Sequence, residues 1–328
     1  MTQKILIDFE KIIDPFSGLG QVCAHLKIFF DKSPQDIHYW QPTKFQKLAR
    51  HFPFLLPKCD LFHAVHQDSP YYPWSAKTKY LLTIHDLNAL KEKTQFKKGE
   101  EYKKNLQKKI DRAFKVTFIS EFTRQEVLSE FKLDPKNTQV IYNGISLTNI
   151  SEAPKIKPQL PFFFSVGTVL PKKNFHVLID LLKIMPDFEM VIAGTTFHSY
   201  AQDMKQKIIE LGLEGRIHLV GTISEREKLW YYQNAKAFIF PSLLEGFGLP
   251  VAEAMSLGLP LFLSDKTSLP EIGGRDACYF KHFEPEYMKK IINDELATFS
   301  IEKKNQLINR SQIFSWKKAA DEFLKLYE

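Results

Sequence analysis

Short apolar runs rich in Phe, Ile, Val and Leu recur along the chain, separated by longer stretches whose apolar positions return every third or fourth residue. The first pattern marks buried strands and the second amphipathic helices. In the first half, strands are predicted at 5–9, 36–39, 61–64, 79–84, 115–119 and 138–141, with helices over segments such as 20–30 and 123–131. Ser120 and Thr123 are both candidates to cap the latter helix, and Val127, Leu128 and Phe131 make one apolar stripe along it. Residues 151–161, SEAPKIKPQLP, break the texture with three prolines and little to bury, the composition of an interdomain linker. Beyond it strands are predicted at 161–167, 189–194, 216–221, 236–241 and 259–264, and helices at 175–184, 199–211, 225–234 and 250–257. A closing amphipathic segment, 316–327, sets Trp316, Ala319, Ala320, Phe323 and Leu324 near helical spacing. Strands joined by helical crossovers pair in parallel, so the chain is predicted to be α/β, with two successive doubly wound Rossmann-like domains.

Length agrees with that division, because 328 residues exceed what one ordinary core accommodates. An apolar fraction of 44% beside 25% charged residues excludes a disordered or fibrous chain. No apolar run reaches the roughly 18 residues of a spanning helix, and the start MTQKILIDFE reads as a first strand and not as a signal peptide, so the cytoplasm is the expected location. Cys23, Cys59 and Cys278 lack the short paired spacing of a zinc or redox site and are expected to be buried small hydrophobes.

Charge changes the picture once it is divided. Residues 1–150 hold 23 Lys and Arg against 16 Asp and Glu, while the remainder is balanced at 22 and 22. The excess is densest in residues 91–115, with ten basic and four acidic side chains. That run reads as a solvated helix face or as a surface for anionic lipid on the inner face of a membrane, or for an anionic acceptor. Nucleic acid is not expected as a partner, since no zinc-finger spacing or aromatic RNA-binding signature accompanies the charge.

Ligands of open parallel sheets bind beyond the carboxyl ends of the strands, and four such loops carry candidate chemistry. In PSLLEGFGLPVAEAMSLG, 241–258, Glu245 precedes a helix that Pro250 can open, and Glu253 lies within it. Gly246 and Gly248 let the backbone approach a ligand, and their amides with the helix start offer a place for an anion. The competing reading is a tight turn with Glu253 on a solvated face. In 162–179 a strand runs into Gly167 and Thr168, and Lys172 and Lys173 arrive before the next helix as cations for a diphosphate or as solvent charge. In 80–90, His85 and Asp86 follow an apolar strand, where polar residues face a cleft or a histidine is satisfied by local backbone. Upstream, His63, His66, Gln67 and Asp68 gather with Tyr71, Tyr72 and Trp74, a composition suited to carbohydrate. His63, His66 and Asp68 could alternatively hold a metal, although none is expected. The fourth loop, 14–23, carries Gly18 and Gly20 but has Ala24 where a dinucleotide fingerprint needs a glycine.

Together these motifs resemble the family-4 group of GT-B glycosyltransferases over nearly the whole chain. The resemblance is carried by SGLGQ at 17–21, the HDL at His85–Leu87, SEFTRQEV at 120–127 and the NGI at Asn143–Ile145. In the second half it is carried by GTVLPKKN at 167–174, VIAG at 191–194, and the two glutamates, Glu245 and Glu253, in their FPSLLEGFGLPVAEAM setting. Two departures stand out: Thr168 occupies a position where many relatives have Arg, and Leu170-Pro171-Lys172-Lys173 lacks the carboxylate of the family's E-P-R-K.

The resemblance implies two domains facing across a cleft: residues 1–150 with the closing helix 313–328 on the acceptor side, a linker at 151–161, and a nucleotide-sugar domain at 162–312. It implies catalytic roles for His85, Lys173 and Glu245. Donor binding falls to Gly18, Gly20, Thr168, Lys172, Lys173, Glu245, Gly246, Phe247, Gly248, Leu249 and Glu253, with Glu253 on the ribose hydroxyls. His63, His66 and Asp86 fall on the acceptor side. It further implies a retaining transfer without cofactor or obligatory metal, in which lysines and backbone amides stabilise the leaving diphosphate, and that phosphate helps to take the acceptor's proton. The partners implied are a nucleotide sugar and a glycan or lipid-linked saccharide acceptor of surface polysaccharide synthesis. The GT-E-P-R-K-N style points to GDP-mannose; UDP-glucose, UDP-galactose and UDP-N-acetylglucosamine fit the same scaffold. A sugar phosphorylase or epimerase, or a non-catalytic sugar-binding protein, shares the same frame.

Overall fold

The chain was analysed as a computed structural model that describes residues 3–14, 17–92 and 96–328. Pro15 and Phe16 of the glycine turn and residues 93–95 of the basic run lie outside the described residues. Two compact units emerge, one made of Met1–Gly144 with Phe314–Glu328 and one of Ile145–Ile313.

In the first unit six parallel strands, β1 (Lys4–Asp8), β2 (Asp36–Trp40), β3 (Leu61–Ala64), β4 (Lys79–Ile84), β5 (Lys115–Phe118) and β6 (Thr138–Val140), line up as β2-β1-β3-β4-β5-β6. Crossovers are supplied by α1 (Gly18–Phe30), α2 (Asn88–Glu92), α3 (Phe96–Arg112) and α4 (Glu121–Glu130). β4 is buried at every residue after Lys79, the continuous apolar run expected of a strand covered on both faces. Ser17 caps α1 by accepting from the Gly20 amide at 3.0 Å. Of the two candidate caps for α4, Ser120 fills the role, accepting from the Thr123 amide at 3.1 Å, so the helix starts earlier than its apolar stripe. The final helix, Trp316–Leu326, lays its apolar face on this unit: the rings of Phe323 and Tyr327 meet Phe30 at 6.4 and 5.8 Å between centroids.

The second unit repeats the architecture with β7 (Phe162–Val166), β8 (Glu189–Ala193), β9 (Ile217–Gly221), β10 (Ala237–Phe240), β11 (Leu261–Ser264) and β12 (Cys278–Phe280). Their order is β12-β11-β10-β7-β8-β9, all parallel. Its helices are α5 (Val177–Lys183), α6 (Ser199–Glu210), α7 (Glu225–Asn234), α8 (Leu249–Ser256), α9 (Leu269–Gly273), α10 (Pro285–Thr298) and α11 (Ile301–Ser311). Read from β9 inward, this is the dinucleotide-fold order, and the direction of winding reverses between β7 and β10. The core is aromatic, with Phe163, Phe164, Phe238 and Phe240 fully buried on the two strands that flank this reversal. Residues 151–161 belong to this unit: Glu189 accepts from the amides of Gln159 and Leu160, both at 2.7 Å, and the Tyr231 hydroxyl donates to the Ile156 carbonyl. Of the cysteines, Cys23 is buried, whereas Cys59 and Cys278 are only half-buried.

Candidate functional site

In an open parallel sheet the loops that leave neighbouring strands where the winding reverses must splay apart, and a ligand fits between them. In the second unit these are the loops after β7 and β10. They are tied at their base, where the Lys172 carbonyl accepts from the Leu243 amide at 2.7 Å and from the Ser242 hydroxyl at 3.2 Å. Above that tie the Lys173 ammonium meets the Glu245 carboxylate at 2.5 Å and lies 5.1 Å from the centre of the Phe240 ring. Both side chains are largely but not fully buried, at 14% and 12% exposure. Lys172 and Thr168 are half-buried in the same loop.

Glu245 is held through its backbone. Its amide donates to the Thr267 hydroxyl at 3.1 Å, and its carbonyl accepts from Ser268, which also donates to the Phe247 carbonyl. Thr267 stands in the left-handed region at φ 55°, a position a β-branched residue occupies only under local constraint. Gly246, Phe247 and Gly248 are buried, and Gly248, at φ 102°, turns the chain into α8 as only glycine does comfortably. No side chain caps α8, whose first two residues are Leu249 and Pro250. An uncapped helix start is a place where an anion is favoured.

Glu253, on α8, is buried, which excludes the solvated-face reading. Lys228 of α7 donates to its Oε1 and the Tyr232 hydroxyl to its Oε2, both at 2.9 Å. Burial pushes the Glu253 carboxyl up from the ordinary carboxylate value while the Lys228 ammonium opposes that shift. For Lys228, burial would lower the pKa, but the carboxylates of Glu253 and Glu225 outweigh it and hold the ammonium charged. A carboxylate accepts about four hydrogen bonds, so two engaged oxygens still leave Glu253 capacity for hydroxyl groups.

The first unit places its candidates differently. His85 directly follows β4, and its Nε2–H donates to the Val65 carbonyl at 2.8 Å, leaving Nδ1 as the unprotonated nitrogen. Burial lowers its pKa to about 4. It lines a small internal cavity with Val65, Asn143 and Trp316. Gln67 joins the loops after β3 and β4, accepting from the His85 amide at 3.0 Å and donating to the Asp86 carbonyl at 3.0 Å. Asp86 is half-buried and accepts from the Asn88 amide. His66 is buried, with Nδ1 accepting from the Asp68 amide at 3.1 Å and its pKa lowered by burial to about 3.

His63 departs from its expected place on the acceptor side. It is fully buried in β3, its Nδ1 paired with the Tyr327 hydroxyl at 2.7 Å and its Nε2 with Thr83 at 2.8 Å. Both ring nitrogens are satisfied, so His63 is a core residue with nothing to offer an acceptor or a metal. Gly20 is likewise a packing glycine, because a Cβ there would strike the Asp14 carbonyl, whereas Gly18 is exposed. Among the described residues, no group of three or more His, Cys, Asp or Glu is arranged to hold a metal.

Sequence reasoning missed Lys228, Tyr232 and Thr267, and it named Gln67 for carbohydrate recognition but not as the tie between two loops. Lys228 sits in EREKLWYYQN beside charged neighbours and reads as surface until α7 is docked on α8. Asp8 was also missed: it ends β1, takes Ser69 Oγ at 2.5 Å, and burial raises its carboxyl to about 6.

Two Rossmann-like units of this kind in one chain make the GT-B architecture, and the fold is matched by solved structures. A sucrose-phosphate synthase from Thermosynechococcus elongatus matches with a TM-score of 0.80, 15% identity, and coverage of 99% of this chain and 98% of that one. Anabaena HepE, solved with UDP and glucose, matches with a TM-score of 0.73, 17% identity and 99% coverage of both chains. The chain belongs to the glycosyl transferases group 1 family, which it matches over residues 147–313, with residues 17–149 matching Glycosyltransferase Family 4. It is therefore an enzyme of sugar transfer, moving a sugar from a nucleotide-sugar donor to an acceptor. Among curated relatives, the O-antigen chain mannosyltransferase RfbU of Salmonella typhimurium is 26% identical over 246 residues, 74% of this chain and 68% of that protein. O-antigen chain mannosyltransferase B of Escherichia coli is 29% identical over 186 residues, 52% of this chain and 48% of that one. No helix among the described residues is long and apolar enough to cross a membrane.

Proposed function

We propose that the chain transfers a hexose, with retention, from a UDP-sugar to a glycan or lipid-linked saccharide acceptor of a surface polysaccharide. The observation that carries the reading is the joining of Lys173 and Glu245 at 2.5 Å where the second sheet's winding reverses, with Glu253 anchored nearby in the following helix. In this reading Lys173, with Lys172 and the start of α8, meets the diphosphate. A cation and helix-end amides there stabilise charge that grows as the phosphate leaves. Release of Lys173 toward phosphate frees the Glu245 carboxylate for the sugar, and Glu253 takes the ribose hydroxyls. On the acceptor side, neutral His85 presents Nδ1 as an acceptor held in one orientation by Val65, with Asp86 beside it in the chain.

Support for uridine comes from structures of the same fold solved with UDP, among them the Anabaena protein. A GDP-mannose donor is the second reading, favoured by the sequence relatives that are mannosyltransferases. A thermal-shift panel of UDP, GDP, ADP and TDP separates them, because a ligand that binds the native state raises its transition temperature. UDP is expected to give the largest shift, unchanged by EDTA; a larger GDP shift selects the second reading, and no shift at millimolar nucleotide refutes both.

A further inference from the structure

The basic run 91–115 turns part of its charge inward, and two of its side chains hold the two ends of the β3–β4 connection. Lys109 and Arg112 stand at i and i+3 on α3, and so on one face of it. The Arg112 guanidinium donates to the carbonyls of Ser75, Ala76 and Thr78, just before β4. The half-buried Lys109 ammonium donates to the carbonyls of Gln67 at 2.6 Å and Ser69 at 2.8 Å, soon after β3. Two peptide carbonyls brought together repel, and a cation between them replaces that repulsion with charge-assisted hydrogen bonds. The turn that Lys109 grips is otherwise closed by longer bonds: His66 accepts from the Ser69 amide at 3.2 Å through its carbonyl and from the Asp68 amide at 3.1 Å through Nδ1. Ser69 also fastens the turn to the Asp8 carboxylate.

The segment so gripped holds His85 twice. β4 ends at Ile84, and the amide that follows a strand still needs an acceptor. Gln67 Oε1 supplies it at 3.0 Å, while Gln67 Nε2–H donates to the Asp86 carbonyl at 3.0 Å. The side-chain amide of Gln67, 6% exposed, thus stands where a neighbouring strand would otherwise pair. The second hold is on the imidazole, whose Nε2–H donates to the carbonyl of Val65, two residues before Gln67. A third hold comes from elsewhere, since the Thr123 hydroxyl of α4 donates to the His85 carbonyl at 3.2 Å. If Lys109 released the turn, the partners of the His85 amide and of its ring would therefore shift together.

We propose that Lys109 and Gln67 are positioning residues for sugar transfer: Lys109 fixes the 66–69 turn, and Gln67 carries its place to the His85–Asp86 peptide. The proposal rests on the reading of His85 as a group that meets the sugar, and neither positioning residue touches substrate in it. Misplacing a reacting or orienting group by about 1 Å costs about 100-fold in rate. A side chain that sets an imidazole through two bonds can therefore matter to transfer without lying in the site.

Hydrogen exchange read by mass spectrometry, and nucleotide release from UDP-glucose and from GDP-mannose with water as the acceptor, test the proposal together. Gln67→Leu removes the acceptor of the His85 amide, so exchange in peptides spanning 80–90 should quicken about tenfold. Lys109→Met should quicken it too, whereas Arg112→Met should act only near 75–78. The release rate kcat should fall about 10- to 100-fold in Gln67→Leu and Lys109→Met, with the donor KM within about twofold of wild type, because the nucleotide is held by the second unit. Arg112→Met should release nucleotide at the wild-type rate. In a His85→Ala background the Gln67 and Lys109 changes should cost less than about twofold more, since residues that act through one group are not additive. Gln67→Leu removes no charge and keeps the test open if Lys109→Met fails to fold. Unchanged exchange at 80–90 overturns the proposal, and so do losses that simply multiply with that of His85→Ala; in either case the transferase reading stands. A His85→Ala enzyme as fast as wild type overturns the proposal together with the role given to His85.

Discussion

Both units carry six parallel strands, yet they place opposite electrostatics at the carboxyl ends of those strands. In the second unit buried charge survives in pairs, Lys173 with Glu245 and Lys228 with Glu253. In the first, burial works against charge instead: His66 and His85 are held neutral, and the Asp8 carboxyl rises to about 6, within reach of protonation in mild acid. The difference follows from what surrounds each group. A cation within reach compensates a buried carboxylate, whereas a group that meets only hydroxyls and amides can lower its cost only by giving up its charge. Paired charge suits a polyanionic donor, and a neutral, oriented imidazole suits a sugar.

The strongest way to break this comparison is to unpair a charge. Lys228→Met should destabilise the second unit by about 3–5 kcal/mol, because Glu253 is left buried without its cation. Chemical denaturation measures it. Adding Glu253→Gln should restore part of the loss, and if Lys228→Met unfolds at the wild-type midpoint the pair contributes nothing. Next, Glu245→Ala should lower the transfer rate about 100- to 1000-fold, as expected for removal of a group acting on the reacting charge, while the unfolding transition stays near that of wild type. Steady-state kinetics with saturating donor decides it, and comparable turnover would remove Glu245 from the site.

The smallest effect concerns pH. His63 and His66 titrate near 3 and His85 near 4 in the folded chain, against 6.5 for an unperturbed histidine. The unfolded chain therefore binds more protons in that window, so the stability these residues contribute is complete above pH 6.5 and is lost as pH falls toward 4. Asp8 acts in the opposite sense, since its folded value of about 6 lies above 3.8 and favours the folded state below that value. Three histidines outweigh one carboxyl, and acid should destabilise the first unit on balance. His63→Asn should flatten the dependence by about 1.4 kcal/mol per pH unit. Denaturation midpoints across the window check it; an unchanged slope would show that His63 takes up no proton on unfolding.

The strands were legible because runs such as YLLTI and FFFSV are apolar at all but one position, Thr83 and Ser165, a pattern that survives any tertiary context. β12 was not, since three residues pair only because β11 lies beside them, and α11 is too polar to show a face from its sequence. Within the candidate site, Glu245, Glu253 and Lys173 stood out through glycine and proline spacing that limits what the backbone can do. Lys228 gave no such signal, because a lysine among charged neighbours looks solvated until another helix covers it. His63 misled for the converse reason: it was expected inside a strand, but its neighbours His66 and Asp68 suggested a polar cluster open to an acceptor, whereas β3 points it into the core.

The closing helix has a consequence for the order in which the protein can be made. His63 is synthesised early but finds Tyr327, its hydrogen-bond partner, only 264 positions later. The second unit, by contrast, is complete once Ile313 has been added. During synthesis the later unit can thus finish before the earlier one, and the first sheet must wait with Phe30 and His63 uncovered until the 316–326 helix and Tyr327 arrive.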